Sequence, residues 1–536
     1  MVPAINRLVE TRTVAKLAIE RLELPRIDVG HLAEALTTPS SQVGFDYQYL
    51  ETLGDAFLQL ATSIHIYLEF PTSEEGRLSI LRSNSVDNRF LRQQSVRSGL
   101  NDFLQSFPLR WSTFVPGPSD VTEVSGDGET VSRPVSRKHL SDVVEATLGA
   151  AVLTGGIPVA LETGETLGLC FGGTSHWSQR ASAQPLLAAE RVEVTSALKF
   201  VEEALGYKIK TQGRLLVQAL THRSFPGDGY CYEREEYLGD AILDYWSTMR
   251  LYPLAVSTTP RFLTFRRAML VSNSTLALIA IRKLRLHKSI LHNSPRLDNA
   301  IREAAELADK VEWRDVIEGD LTWVWSPPKV LGDVVEALLA VVFIDSGFDV
   351  DTVFAVLDKL YGDITPSLEN GKERRDPYSR FLMWRDGHSC DHLKLNIVRT
   401  ETEDLAASGT ALYTSTVTFH SNQIAHQAVN SKTVARQLSA REALLTLEGE
   451  RGKECQCKER KLRNKKEAFE RKKRKGLAED IEAGEDEDED EAAEVSEESE
   501  PKLEEEQEDE AETSEEVSNE EQERSEFALL DVLILC

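Results

Sequence analysis

Through its first 370 residues the chain repeats apolar positions at the three-to-four spacing of helices, and it switches to alternation only near residue 376. At the N-terminus Leu8, Val9, Val14, Leu17, Ala18 and Leu22 fall on one face, which predicts an amphipathic connector helix within residues 1–30. Two longer apolar runs follow, each opened by a pair of acids: Asp142-Val-Val-Glu145-Ala and Asp333-Val-Val-Glu336-Ala. Each run ends near glycine, at Thr154-Gly155-Gly156 and at Ser346-Gly347. Arg266–Leu284 reads as a further amphipathic helix, and a Gly, Pro and Ser-containing loop is predicted over Val115–Pro134. From Asp376 the pattern predicts a helix over Pro377–Trp384, strands over Leu393–Val398, Ala411–His420 and Gln423–Ala428, and a closing helix over Ser431–Leu447. The expected fold class is therefore mainly α, with one small α-β-β-β-α domain near the end.

The helical part is written twice. Glu51 and Asp55 form an E-x-x-x-D pair around Leu53-Gly54-Asp55-Ala, and Glu236 and Asp240 form another around Leu238-Gly239-Asp240-Ala. Asp55 precedes Asp240 by 185 positions and Asp142 precedes Asp333 by 191, so the chain reads as a tandem duplication. Residues three or four apart share a helix face, so each pair aims two carboxylates one way. Two such helices packed together would gather four acids. A single pair of this kind is usually solvated surface, and it is the repetition that favours a site. Clustered carboxylates repel and raise one another's pKa unless a cation neutralises them. Mg²⁺ suits oxygen ligands and phosphate substrates, and two such ions serve in-line displacement at phosphorus. The residues alone thus point to a metal-dependent phosphodiesterase with two sites. Gly54 and Gly239 sit inside helices, where glycine costs about 1 kcal/mol against alanine, and so predict close approach by another backbone.

At these residues the chain resembles ribonuclease III: Tyr-Leu-Glu51-Thr-Leu-Gly-Asp55-Ala and Glu233-Arg-Glu-Glu236-Tyr-Leu-Gly-Asp240-Ala match that family's signature, and Ala219-Leu-Thr-His-Arg-Ser224 its upstream motif. With Glu34-Ala-Leu-Thr-Thr-Pro-Ser40 and Gly44-Phe-Asp-Tyr ahead of the first signature, the tandem is similar to the C-terminal half of a fungal Dicer-like protein. The resemblance implies a connector at 1–30, all-helical ribonuclease III domains at 31–173 and 188–368 with a linker at 174–187, and a double-stranded RNA-binding-like domain at 376–457. It implies an intramolecular pseudo-dimer, and so a monomer, that cuts one strand of double-stranded RNA at each site. The ends would be 5′-phosphate and 3′-hydroxyl with short 3′ overhangs. Glu51, Asp55, Asp142 and Glu145 would hold Mg²⁺ or Mn²⁺ in one site, and Glu236, Asp240, Asp333 and Glu336 in the other. Lys138 and Lys329, each four residues before the second pair, match a lysine that the family places near the scissile phosphate. Gln48 stands where the second copy has Glu233, a difference that bears on metal affinity. Small-RNA production alongside silencing-complex proteins is the implied role. The competing readings are a non-catalytic RNA-binding scaffold, against which the eight intact acids argue, and a nuclease of structured RNA outside silencing.

The C-terminal domain adds a second candidate metal set. Six cysteines with no secretory leader read as a reduced intracellular protein, nuclear or cytoplasmic. Cys455-Gln-Cys457 alone is a weak metal signal, but with Ile424-Ala-His426-Gln it resembles the fungal Dicer-like pattern. That likeness implies structural Zn²⁺ at Cys390, His426, Cys455 and Cys457, with His388, His392 or His420 as substitutes. For RNA contact the start of the last helix offers only Lys432 and Arg436, fewer cations than the family places there, so protein docking is an alternative use of this domain.

Charge is distributed unevenly. The formal net charge is −28, yet residues 477–536 hold 28 acidic residues against Lys502 and Arg524, leaving 59 basic and 61 acidic residues elsewhere. That tract is expected to be disordered, and residues 451–476, with 13 Lys and Arg against four Glu, to be a basic arm or import signal. The terminal apolar stretch Phe527–Cys536 is too short to span a membrane, so no membrane association is expected. No phosphate-binding Gly-x-x-x-x-Gly-Lys-Ser/Thr loop occurs, so the helicase of full Dicers is not expected within this chain.

Overall fold

The computed structural model describes residues 2–41, 43–106, 136–187, 196–210, 213–226, 230–256, 258–311, 313, 316, 325, 327–362, 376–400, 412–429, 431–453 and 455–463. The expected loop at Val115–Pro134, most of the basic arm, the acidic tract and Phe527–Cys536 lie outside these residues. The chain forms two units, divided between Arg374 and Arg375.

The first unit is helical. Its first half contains α1 (Val2–Arg21), α2 (Val29–Ala35), α3 (Gln48–Glu69), α4 (Glu75–Val86), α5 (Asn88–Ser98) and α6 (Arg137–Thr166). The second half contains α7 (Gln184–Leu187), α8 (Ser196–Leu205), α9 (Gly213–Ala219), α10 (Glu233–Leu251), α11 (Pro260–Leu270), α12 (Asn273–Leu278), α13 (Pro295–Ala308), α14 (Val330–Asp345) and α15 (Val350–Tyr361). The connector helix stops at Arg21, and Asp28 caps α2 by accepting from the Gly30 and His31 amides. The expected helix over Arg266–Leu284 is broken. Ser272 accepts from the Thr275 amide and starts α12 afresh, and a π-turn follows at Ile279–Lys283.

Each half is organised on a crossed pair, α3 with α6 and α10 with α14. Leu140 to Val152 of α6 are buried almost without interruption, and in α14 every residue except Glu336 is buried. The glycines explain how near the pairs come. A Cβ on Gly54 would stand 1.7 Å from the Glu145 carbonyl oxygen, and one on Gly239 would stand 1.8 Å from that of Glu336. Backbone therefore packs on backbone directly beside the acids, which sets the acids of both helices facing one another. The helix α6 is the one described helix apolar and long enough to cross a membrane. It is a core helix here, kinked at Gly155–Gly156 and resuming to Thr166 rather than ending there.

The two halves pack through α3 and α10. Arg234 donates to the Phe70 carbonyl at 2.9 Å, and the Tyr67 hydroxyl donates to buried Glu235 at 3.2 Å. Glu235 also accepts from Gln218 at 3.0 Å, while burial pushes its carboxyl up to about 7. The segment expected as a linker is docked: Trp177 is 2% exposed, edge-on to Phe343 of α14.

The second unit has α16 (Pro377–Gly387), β1 (Leu393–Thr400), β2 (Leu412–Phe419), β3 (Asn422–Val429), α17 (Lys432–Leu447) and a short α18 (Glu450–Lys453). The strands form one antiparallel sheet in sequence order, with Leu395 opposite Val417 and Val417 opposite Ala425. Asp376 and Ser431 cap the two main helices. The order α-β-β-β-α is that expected from the alternation, and Ala411 lies outside the described residues.

Candidate active site and metal centre

In each half three carboxylates converge. Oxygens of Glu51, Asp142 and Glu145 lie within 4.8 Å of one another, as do those of Glu236, Asp333 and Glu336. The fourth acid of each expected set stands at the edge of its trio. Asp55 accepts both of its hydrogen bonds from Gln59 Nε2, at 3.2 Å, and Asp240 faces Arg82 Nη1 at 3.6 Å. Their charges still raise the neighbouring glutamates, Asp55 raising Glu145 and Asp240 raising Glu336.

Burial and mutual repulsion set the chemistry of these groups. Burial, then the Asp142 charge, pushes Glu51 up to about 7; burial, then Asp333, does the same to Glu236. Glu145 is pushed up to about 9 by burial and by Asp55, and Glu336 is raised for the same reasons with Asp240 as the foremost charge. Without a cation these sites would hold protons near neutral pH. Clustered carboxylates with elevated proton affinity on facing helices are a donor set that suits hard divalent ions.

The lysines differ between the copies. Lys329 Nζ lies 2.7 Å from Glu236 Oε1 and 3.2 Å from Asp333 Oδ1. Lys138 is near enough to lower Glu51 and Asp142 but closes no ion pair among the described residues. Glu233 pairs with Arg223 at 3.4 Å rather than joining the trio.

Two tyrosines were not foreseen as site residues. Tyr47 donates to Asp142 Oδ2 at 2.9 Å and Tyr232 to Asp333 Oδ2 at 3.0 Å, each from a buried ring. Both stand four residues before the first glutamate of their site, a repeated spacing that was available in the sequence. Each fixes one carboxylate oxygen; the other is met by Ser141 Oγ at 3.4 Å in Asp142 and by Lys329 Nζ at 3.2 Å in Asp333.

In the second unit the metal-ligand set differs from the expected one at one position. Cys390, His420, Cys455 and Cys457 converge, with His420 Nε2 at 3.7, 3.6 and 3.7 Å from the three sulfurs. His426 does not join them; it lies on β3 with Nδ1 3.4 Å from the Thr416 hydroxyl. The cause is the β2–β3 turn: His420 and Ser421 both take positive φ, which swings the His420 ring toward the segment after α18. His392 packs against His420 with ring centroids 5.1 Å apart, and His388 stacks on Trp384. Tetrahedral zinc bonds of ~2.0 Å to nitrogen and ~2.3 Å to sulfur imply ligand separations near ~3.5–3.8 Å, so these four fit such an ion. Burial and the neighbouring thiols push Cys390 up to about 12. Lys432 is exposed in the first turn of α17, while the Arg436 guanidinium lies over the Tyr378 ring at 4.7 Å.

The profile of the ribonuclease III domain matches residues 48–156 and 233–347. Endoribonuclease Dicer homolog 2 of Arabidopsis thaliana is 33% identical over 389 residues, covering 68% of this chain and 26% of that protein. Protein Dicer of Schizosaccharomyces pombe is 31% identical over 368 residues, covering 67% of this chain and 26% of that protein. Among solved structures, the ribonuclease III nuclease domain from Campylobacter jejuni is 26% identical and covers 32% of this chain and 97% of that one, with a TM-score of 0.24. The chain spans about a quarter of the length of these curated relatives. All eight acids fall inside the two matched segments, so residues 48–156 and 233–347 are two ribonuclease III domains carried in tandem.

Proposed function

We propose that the chain is an endoribonuclease for double-stranded RNA, with one strand cut at each of two sites by metal-assisted phosphodiester hydrolysis. The observation that carries this reading is the repeated convergence of Glu51, Asp142 and Glu145 and of Glu236, Asp333 and Glu336 on facing helices of two packed halves. Bound divalent ions, Mg²⁺ or Mn²⁺, would supply an activated water and charge stabilisation for the leaving oxygen. Tyr47 and Tyr232 hold one oxygen of Asp142 and Asp333, so that the second oxygen of each keeps a fixed direction. Asp55 and Asp240 complete the sets once drawn in from the edge. Lys329, already among the carboxylates, is placed to meet a phosphate oxygen, and Lys138 is the corresponding residue of the first site.

Cys390, His420, Cys455 and Cys457 are proposed to hold structural Zn²⁺, tying the β2–β3 turn to the segment that follows α18. Lys432 is the RNA-contact candidate of the second unit; Arg436 is engaged with Tyr378 and is better read as support for α16. The name of the Arabidopsis thaliana relative carries an endoribonuclease; small-RNA production alongside silencing-complex proteins is proposed beyond that. The test is incubation of purified protein with long double-stranded RNA and Mg²⁺, against Glu51→Ala/Glu236→Ala. The expected result is short products bearing 5′-phosphates from wild type and none from the double variant. Binding of RNA without cutting by wild type would establish a scaffold instead.

A further inference from the structure

The second site is not enclosed by the second half alone. Its cleft, of about 330 Å³, has Glu75, Ser79 and Arg82 of α4 on one side and Glu236, Asp240 and Lys329 on the other. Arg82 therefore crosses from the first half. Its guanidinium lies 4.9 Å from the Tyr237 ring centroid, and Nη1 is 3.4 Å from Ser63 Oγ and 3.6 Å from Asp240 Oδ2.

The duplication makes this asymmetric. Arg82 and Arg267 are 185 positions apart, the same offset that relates Asp55 to Asp240, so they are counterparts. Arg267 pairs instead with Asp244 of its own half, at 3.5 Å. The counterpart of Asp244 is Gln59, whose neutral amide holds Asp55. Asp55 is thus held by an uncharged donor one turn along its own helix, whereas Asp240 is held by a cation of the other half. We infer that Arg82 is a positioning residue that sets the divalent-cation demand of the second site. To join Glu236, Asp333 and Glu336 around a metal, Asp240 must give up an ion pair, and the fixed arginine charge also opposes an arriving dication. In the first site Asp55 gives up a neutral hydrogen bond and closes no ion pair among the described residues, the charges of Arg267 and Arg82 reaching it only from farther away. This inference rests on the two-site reading above. Because the Arg82–Asp240 pair is half exposed, its influence is that of a screened ion pair, roughly threefold to fivefold in metal requirement.

Strand-resolved cleavage of end-labelled double-stranded RNA over a Mg²⁺ titration tests this, with Glu51→Ala and Glu236→Ala assigning each strand to its site. Mn²⁺ binding without RNA, followed by electron paramagnetic resonance of the free ion, supplies a readout independent of activity. Wild type is expected to need more Mg²⁺ on the second-site strand. Arg82→Gln should lower that requirement roughly threefold to fivefold, shift the first-site strand clearly less, since Arg82 reaches Asp55 only from farther away, and tighten the weaker Mn²⁺ class. Arg82→Met, which keeps the packing over Tyr237, should match Arg82→Gln, and Arg82→Lys should stay near wild type. An unchanged or higher second-site requirement in Arg82→Gln and Arg82→Met would overturn the inference, and so would a shift as large on the first-site strand as on the second. Loss of both strands in Glu236→Ala alone would instead strike the two-site reading on which it rests.

Discussion

The two carboxylate clusters share four acids, a tyrosine and a lysine at matching positions, yet in the second the cations close ion pairs with the acids, whereas in the first they act only from farther away. Lys329 is tied to Glu236 and Asp333, and Arg82 faces Asp240. In the first site Asp55 has the Gln59 amide, and Lys138 closes no ion pair among the described residues. Duplication of the acidic motif therefore preserved the carboxylates while the cations around them diverged. A signature of four acids specifies which oxygen donors are present and leaves open how tightly each cluster would hold ions. That second property depends on residues such as Gln59 and Asp244, which lie outside the signature.

The comparison is broken most strongly by removing one glutamate at a time. Glu51→Ala and Glu236→Ala are each expected to slow one strand by roughly 10²–10³-fold, read by single-turnover cleavage, because a metal ligand that stabilises transition-state charge is lost. Next in size is the metal content of the second unit. His420→Ala is expected to lose bound zinc in elemental analysis of the full chain, and His426→Ala to keep it; the reverse pattern would restore the ligand set expected from the sequence. The close helix crossings come third. Gly54→Ala and Gly239→Ala each place a methyl within 2 Å of a backbone carbonyl and should each cost ~3 kcal/mol in denaturant unfolding. Equal losses would show that the two crossings, unlike the two cation environments, are equivalent.

The smallest expected effect is on pH dependence. Glu51 and Glu236 are pushed up to about 7 and Glu145 to about 9, so the folded metal-free protein binds protons that the unfolded chain, titrating near ~4.5, releases. Stability from these groups is fully present below pH ~4.5 and is lost as pH rises through 7 to 9. In chelator the thermal midpoint of the first unit should fall between pH 5 and pH 9 by roughly 2 °C, and saturating Mg²⁺ should flatten that slope. A midpoint that rises over this range without metal would contradict the burial of these carboxylates.

Much of this was legible in the residues. The duplicated pairs, the helical period and the switch to alternation after Asp376 led to the fold class, and the internal glycines foretold the crossings at Glu145 and Glu336. What was not legible depended on geometry with no periodic signature. His420, one of three substitutes for His426 in the sequence, is the histidine that meets the cysteines because two consecutive residues at the β2–β3 turn take positive φ, which alternation along the strands does not reveal. The break at Ser272 hid inside an apolar pattern continuous on both sides, since a cap is a local hydrogen bond. Trp177 looked like part of a linker because its partner, Phe343, is distant in sequence. The reach of Arg82 to Asp240 required the packing of the halves, although the shared offset of 185 already marked Arg82 and Arg267 as counterparts.

The proposal that one chain holds two sites acting on opposite strands is tested by cleavage of double-stranded RNA with each strand separately end-labelled, by wild type, Glu51→Ala and Glu236→Ala. Wild type should cut both strands, and each variant should leave a different strand intact, yielding nicked duplex. Loss of both cuts in either single variant, or both cuts persisting in both, would contradict it.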